Sequence, residues 1–123
     1  MRLLLNQKQN SKQNGVPDSY KVIFKPEVVQ AIIDRADYIA EQSGSGITGE
    51  HYMDGIYAFC KSLSSFPNRS INRDDIFPGL RITNYKGTTV ITYLVREDAR
   101  EVHIAGIFHS SQDYESQLKA DEA

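Results

Sequence analysis

The residues best suited to chemistry begin at a rigid turn, Asp75-Ile76-Phe77-Pro78-Gly79-Leu80-Arg81, which leads into a strand-rich region. Pro78-Gly79 is a strong turn signal, because proline fixes φ and glycine accepts positive φ. Arg81 is the second residue of the strand predicted after this turn, so its guanidinium is a candidate anchor for an anion or a protein partner. An exposed strand charge, or an ion pair with Asp75 or Asp113, explains an arginine at this position equally well.

A second candidate group follows the last apolar strand, where His109 precedes Tyr114. Histidine titrates near neutral pH and therefore suits proton transfer as an acid or as a base. A strand-end histidine that hydrogen-bonds to the backbone is the alternative interpretation. Three acids, Asp74, Asp75 and Asp113, lie close in sequence to the candidate cations and would repel a phosphate group, which argues against phosphate-directed chemistry.

Two other patterns are typical of ligand sites but lack essential members. The stretch Ser43-Gly44-Ser45-Gly46-Ile47-Thr48-Gly49 offers backbone N–H groups to a phosphate, yet it lacks the Lys-Ser/Thr of a P-loop and follows no strand. We interpret it as a link between two helices. His51 and Asp54 lie one helical turn apart without a third ligand nearby, so we expect neither a metal site nor a cofactor. Cys60 is predicted to be a small core residue.

Composition narrows the class of protein. With 123 residues the chain is long enough for one domain with its own core and too short for two ordinary ones. It has no apolar run near the roughly 18 residues of a membrane span, so none is expected. A single cysteine excludes an internal disulfide and fits a reducing cytoplasm. The net charge of −2 argues against nucleic-acid binding by the whole surface, which normally requires a basic footprint.

Hydropathy patterning predicts one folded domain over residues 20–118, between a polar tail at 1–19 and a short tail at 119–123. The first tail is rich in Asn and Gln and has little apolar surface to bury. Alternation from Tyr20 to Phe24 predicts a first strand. Apolar residues at helical spacing then predict two helices that form an antiparallel hairpin, at 27–43 and 48–65.

The second helix carries specific expectations. Thr48 is the expected N-cap, with Glu50 in the first turn, where the helix dipole favours an anion. Its buried stripe is predicted to contain Tyr52, Ile56, Phe59, Leu63 and Phe66.

Three strands and a short helix are predicted after a polar loop; they cover 80–85, 88–95, 101–108 and 110–118. In the last strand, alternation places Val102, Ile104, Gly106 and Phe108 on one face. Its other face is apolar too, so the strand is expected to be central in the sheet or to expose a binding surface. The element order β-α-α-β-β-β predicts an α+β fold, with an antiparallel sheet packed against the helical hairpin.

This element order and three motifs resemble the RelE/ParE superfamily of bacterial toxins, and the ParE branch is the most similar. The motifs are the turn from Asp75 to Arg81, the strand Val90-Ile91-Thr92-Tyr93, and the strand from Val102 to His109. The resemblance covers about residues 20–118 and lies in the order and spacing of the motifs. Gln112 departs from it, since many family members carry an arginine three residues after the histidine.

The resemblance implies a toxin of a type II toxin–antitoxin system, held in a hetero-oligomer by a cognate antitoxin protein. ParE-like members act on DNA gyrase, whereas RelE-like members cut messenger RNA on the ribosome. A ribonuclease would need a base, an acid and cations that hold the phosphorane charge. The candidates for these roles are Arg81, Lys86, His109 and Tyr114.

The sparse cations, the acids beside them and Gln112 favour a gyrase inhibitor without catalysis; a ribosome-dependent mRNA endoribonuclease is the alternative. Contacts with the target or the antitoxin are expected at Arg73, Arg81, Ile107, His109 and Tyr114. Strand 102–108 and the helical hairpin are also expected to expose apolar surface that an antitoxin segment covers.

Overall fold

A computed structural model describes residues 19–109 and 114–122, the last four of these as backbone only. The predicted N-terminal tail lies outside the described residues except for Ser19. The elements are β1 (Lys21–Phe24), α1 (Pro26–Ser43), α2 (Gly46–Ser62), a 3₁₀ helix (Pro67–Arg69), β2 (Ile71–Asn72), β3 (Arg81–Tyr85), β4 (Thr89–Arg96), β5 (Glu101–His109) and α3 (Tyr114–Glu122).

The five strands form one sheet in the order β1-β5-β4-β3-β2. The α+β class, the helical hairpin and the three C-terminal strands are confirmed. The sheet is not wholly antiparallel, because β1 pairs with β5 in parallel. Parallel neighbours require a long connection, and the helical hairpin with β2 to β4 provides it. The short strand β2 was not predicted, and α3 begins four residues later than expected.

Capping residues set the bounds of the two helices in the hairpin. Pro26 occupies the first turn of α1, and Gly44 ends the helix with φ of 71°, the left-handed conformation expected of glycine there. The N-cap of α2 is Ser45, whose hydroxyl accepts a hydrogen bond from the Thr48 N–H at 3.3 Å. The prediction of Thr48 as the cap was therefore wrong, and Glu50 lies beyond the first turn.

A β-bulge decides which residues of β5 share a face. Thr92 pairs with Gly106 but Tyr93 pairs with Ile104, so Ala105 is an extra residue and the alternation of β5 shifts there. Ile104 and Ile107 consequently pack on the helical hairpin, whereas Phe108 packs on the opposite side. The predicted common face of Val102, Ile104, Gly106 and Phe108 was wrong in its second half, because simple alternation cannot anticipate a bulge.

The sheet therefore has an apolar cluster on each side. The larger cluster lies between the sheet and the helical hairpin and includes Ile32, Ile56, Cys60, Tyr93 and Ile104, all fully buried. The prediction that Cys60 is a core residue is confirmed, and burial raises the pKa of its thiol to about 12. The smaller cluster lies on the other side and contains Ile76, Leu80, Ile82 and Val90, with Leu94, Phe108, Tyr114 and Leu118 packed against it.

Candidate functional site

Arg81 has a structural partner. One of its guanidinium nitrogens, Nη1, donates a hydrogen bond to the main-chain carbonyl of Ser70 at 2.7 Å, and the residue is half-buried. The alternative interpretation, an ion pair with Asp75, is not found; that carboxylate instead accepts two hydrogen bonds from Arg73, at 2.9 and 2.7 Å. The alternative partner, Asp113, lies outside the described residues. Arg81 thus ties the start of β3 to the segment that precedes β2.

Tyr93 also binds the segment that precedes β2. Its buried hydroxyl donates to the carbonyl of Pro67 at 2.7 Å and is also hydrogen-bonded to the Ser70 hydroxyl. Burial raises the pKa of Tyr93, and the Ser70 hydrogen bond and nearby arginines offset part of the rise. The phenol therefore stays protonated and can act as a donor.

A third anchor fixes the 3₁₀ helix from the β4–β5 turn. The Glu97 carboxylate accepts hydrogen bonds from the Tyr20 hydroxyl at 2.6 Å and from the Asn68 amide at 2.9 Å. These two bonds hold the pKa of Glu97 below its usual value. The guanidinium of Arg100 lies 4.3 Å from the centre of the Tyr20 ring. Each oxygen of the carboxylate thus accepts one hydrogen bond within the fold.

Arg73 and Tyr114 both join α3 to the sheet. Arg73 bridges Asp75 and Glu115, at 2.7 and 2.9 Å, and hydrogen bonds to these carboxylates raise its pKa further. The ring of Tyr114 packs on Phe108 with a centroid separation of 6.0 Å. Arg73 is therefore neutralised by two acids, and Tyr114 lies on the face of the sheet away from the helical hairpin.

His109 and Ile107 lie on the other face. They line an open groove of about 590 Å³ between α1 and the end of β5, together with Ala31, Asp34, Arg35, Tyr38, Tyr52, Thr89 and Phe108. The groove combines apolar walls with side chains of both charges. It is a candidate protein-binding groove, because it is concave and its lining is partly apolar and partly polar, without a cluster of cations.

Tyr52 has the one side-chain polar atom in the described ranges that is buried without a hydrogen bond. Burial raises the pKa of this phenol, and the Thr89 hydroxyl offsets the rise in part without forming a hydrogen bond of ordinary geometry. We expect Tyr52→Phe to leave the free energy of unfolding unchanged or raise it by about 1 kcal/mol, because an unpaired hydroxyl is removed. Chemical denaturation measures this. A loss of more than 1 kcal/mol would mean that the hydroxyl has a partner in solution.

The four proposed ribonuclease residues do not form one cluster, although Lys86 and His109 lie at the same end of the sheet, where Tyr85 pairs with Thr89 and Thr89 with His109. Arg81 begins β3 and Lys86 directly follows its last residue, so the two are roughly 16 Å apart at about 3.3 Å per residue. Lys86 is exposed in the β3–β4 turn, with its ammonium 5.5 Å from the centre of the Tyr85 ring. His109 faces the groove beside α1, whereas Tyr114 lies on the opposite face. The structure places His109 and Ile107 in one groove and Arg73 beside Glu115 of α3. The backbone of Arg73 also lies next to the start of β3, since its N–H donates to the Leu80 carbonyl at 2.8 Å.

The sequence interpretation missed the surface around the 3₁₀ helix. Phe66, predicted in the buried stripe of α2, is 66% exposed and adopts a left-handed conformation with φ of 55°. Phe66 lies beyond α2, which ends at Ser62 with Leu63 as its C-cap, so the helical spacing that predicted its burial does not extend to it.

The comparison with protein families decides the relationship. The family model described as "ParE toxin of type II toxin-antitoxin system, parDE" matches residues 22–114, from β1 to the first residue of α3. The chain belongs to the ParE toxin family. The resemblance seen in its motifs is therefore confirmed, and ParE toxins pair with a cognate antitoxin. No curated protein sequence matches the chain.

This ParE-family chain shows neither a membrane-spanning helix nor a metal-binding cluster among the residues that the structure describes. No helix among the described residues is long and apolar enough to cross a membrane. Within the same residues, no three side chains of His, Cys, Asp or Glu come together in a group that could hold a metal ion. His51 and Asp54, which lie one turn apart on α2, are both exposed.

Proposed function

We propose that this ParE-family toxin arrests growth by binding DNA gyrase, without cleaving RNA, and that its cognate antitoxin neutralises it by binding. The observation that supports this most directly is the dispersal of Arg81, Lys86, His109 and Tyr114 over two faces and two ends of the sheet. General acid–base catalysis requires the acid, the base and the charge-stabilising donors within hydrogen-bond distance of the same reacting group.

The electrostatics of the candidate cations support the same proposal. Arg73 is bound to two carboxylates, and Arg81 donates to a main-chain carbonyl. A third carboxylate, Asp74, accepts a hydrogen bond from the N–H of Gly79 in the turn before β3. A phosphate that approached Arg73 or Arg81 would meet these acids, so the arginines suit structural support better than RNA binding.

The groove that contains Ile107 and His109 is the proposed contact for the antitoxin. Of the two alternatives for β5, the central position is confirmed, because the strand lies between β1 and β4 and its Val102 and Ile104 are fully buried under the helical hairpin. What remains open is the end of β5, beside Tyr38 and Arg35 of α1. Arg35 lies 4.8 Å from the centre of the exposed Tyr38 ring and presents a charged, aromatic rim. An amphipathic antitoxin segment would suit this groove, with its apolar face on the apolar walls and its polar face on the charged rim.

Purified wild-type toxin is expected to inhibit supercoiling by gyrase while translation in a cell-free extract continues. His109→Gln should retain growth arrest, because binding to gyrase requires no proton transfer. A ribonuclease that used His109 as acid or base would instead lose about 10²–10⁴-fold in cleavage rate.

The matched control is the wild-type protein with its antitoxin, which should restore both growth and supercoiling. Ribosome-dependent cleavage of messenger RNA that disappears in His109→Gln would refute the proposal and establish catalysis. Gyrase activity that the wild-type toxin leaves unaffected would refute it as well.

A further inference from the structure

Arg35 of α1 brings a guanidinium to the groove between α1 and the end of β5. Within the part of the chain that the structure describes, this guanidinium makes neither an ion pair nor a hydrogen bond. The acid beside it in sequence, Asp34, also lines the groove, but it is exposed and accepts a hydrogen bond from the Gln30 amide at 2.9 Å. The positive charge of Arg35 is therefore available to a partner that enters the groove.

The charge of Arg35 acts on the inner wall of the groove, which Tyr52 of α2 forms. Burial raises the pKa of Tyr52, and the Thr89 hydroxyl and then the charge of Arg35 lower it in part. The interaction between two charges weakens with distance, so a cation that affects the ionisation of this phenol lies close to it. Arg35 thus favours an anion inside the groove, between the helices and the sheet, as well as at its rim.

The ring of Tyr38 orders the guanidinium of Arg35. The Cζ atom of Arg35 lies 4.8 Å from the centre of this ring, a favourable cation–π geometry. Tyr38 follows Arg35 by three residues on α1, so both side chains project from the same side of the helix. A side chain that is already ordered loses less conformational entropy when it binds a partner. Arginine and tyrosine are also the residue types that most often dominate the energy of a protein interface.

We propose that Arg35 binds a carboxylate of the antitoxin, supplied by an aspartate or glutamate of the segment that enters the groove, and that Tyr38 positions the guanidinium for it. A guanidinium offers only donors, in a planar fork that fits both oxygens of a carboxylate. This proposal rests on the proposed antitoxin contact at the groove, and it adds the toxin residues and the chemistry of the partner side chain.

The antitoxin suits the groove better than a second copy of the toxin. ParE toxins pair with a cognate antitoxin, so the family itself establishes this kind of partner. A groove between a helix and the end of a strand accepts a single peptide segment, which is a common way to bind a short part of a partner protein. A symmetric toxin dimer through the same groove would bring two Arg35 side chains towards each other, where like charges repel.

The test measures the affinity of the purified cognate antitoxin for toxin variants by titration calorimetry. Arg35→Gln is expected to weaken binding by about tenfold or more, and wild-type affinity should fall more steeply with salt than that of this variant. Tyr38→Leu should weaken binding by about threefold or more, whereas Tyr38→Phe keeps the ring and should retain the wild-type affinity. In the Arg35→Gln background, Tyr38→Leu should cost about twofold at most, because its effect passes through the guanidinium.

The controls make the same kinds of change outside the groove. Arg96→Gln removes an exposed charge at the end of β4, and Phe77→Leu removes an exposed ring before β3. Both should keep antitoxin affinity within about twofold of wild type. The partner side chain is identified by replacing each Asp and Glu of the antitoxin with its amide. One of these changes should weaken binding to the wild-type toxin but not to Arg35→Gln.

The readouts separate this proposal from the proposed function. Wild-type affinity in both Arg35→Gln and Tyr38→Leu would overturn it together with the antitoxin contact at the groove. Weaker binding in Tyr38→Leu with wild-type affinity in Arg35→Gln would overturn the carboxylate contact alone. Loss of gyrase inhibition in Arg35→Gln at unchanged antitoxin affinity would make the target the occupant and overturn the proposal as well. A wild-type toxin that leaves gyrase active would refute only the proposed target, because gyrase takes no part in the titration, and weaker antitoxin binding in Arg35→Gln would still support the carboxylate contact.

Discussion

Gly49→Ala is expected to lower the free energy of unfolding by about 2 kcal/mol or more, a large change for a domain of this size. Gly49 is buried where α2 crosses α1, and an added Cβ would lie 2.5 Å from the main-chain oxygen of Ala36 and 3.2 Å from the Cβ of Ala40. A main-chain oxygen inside a helix cannot move aside as a flexible side chain can. The helices would have to separate, which would disturb the packing of Ile32 and Ile56 beneath them.

Gly46→Ala is the matched control, because it makes the same substitution at the first residue of the same helix. An added Cβ at Gly46 would meet nothing within 4 Å. The gain in helix propensity, about 1 kcal/mol at most, should therefore appear there as a small stabilisation. Thermal unfolding measures both, and each 1 kcal/mol corresponds to roughly 4–8 °C in a domain of this size. Equal melting temperatures for the two variants would show that the hairpin tolerates a wider separation.

The helical hairpin could be predicted because its signals are local. Pro26 at the start of α1 and Gly44 at its end determine the helix bounds through φ alone. The choice between Ser45 and Thr48 as the cap of α2 could not be settled from residue types, since both carry a suitable hydroxyl. The closing of the α1 turn at Gly44 places Ser45 in the extended conformation of a cap.

The faces of β5 were predictable only up to the bulge. Alternation placed Val102 and Ile104 correctly on the face that packs against the helical hairpin. Beyond the extra residue Ala105, Ile107 lies on that face and Phe108 on the opposite one, the reverse of what alternation predicted. The shift arises in the pairing with Thr92 and Tyr93 of a different strand. A single strand's own sequence does not carry that information.

The candidate site shows the same division between local and long-range information. Sequence motifs drew attention to Arg81, but its partner is the carbonyl of Ser70, which is available only because the 3₁₀ helix and β2 bring the chain back beside β3. That segment has weak periodicity, so it was predicted as a polar loop. The sequence alone named the candidate residues, whereas their grouping depended on pairings between distant strands.

Tyr93 and Arg81 are expected to stabilise one and the same segment, which a double-mutant cycle can measure. Tyr93→Phe removes the donor to the Pro67 carbonyl and the partner of the Ser70 hydroxyl, at a cost of about 1–3 kcal/mol for buried groups left unpaired. Arg81→Ala removes the donor to the Ser70 carbonyl and should cost about 1 kcal/mol at this half-buried position. Once either anchor is lost, the segment is already loosened, so the second change should cost less.

The double variant should therefore fall short of the sum of the two single changes by at least about 0.5 kcal/mol. Tyr57→Phe is the control, because Tyr57 is half-buried and its described contact is an edge-on packing with Phe24, so it should change stability by less than about 0.5 kcal/mol. Denaturant unfolding of all variants gives the required free energies. Fully additive losses would mean that the two residues support different parts of the fold. Loss of growth arrest in Arg81→Ala at an unchanged melting temperature would instead make Arg81 a direct contact of the target, as its position after the Pro78-Gly79 turn first suggested.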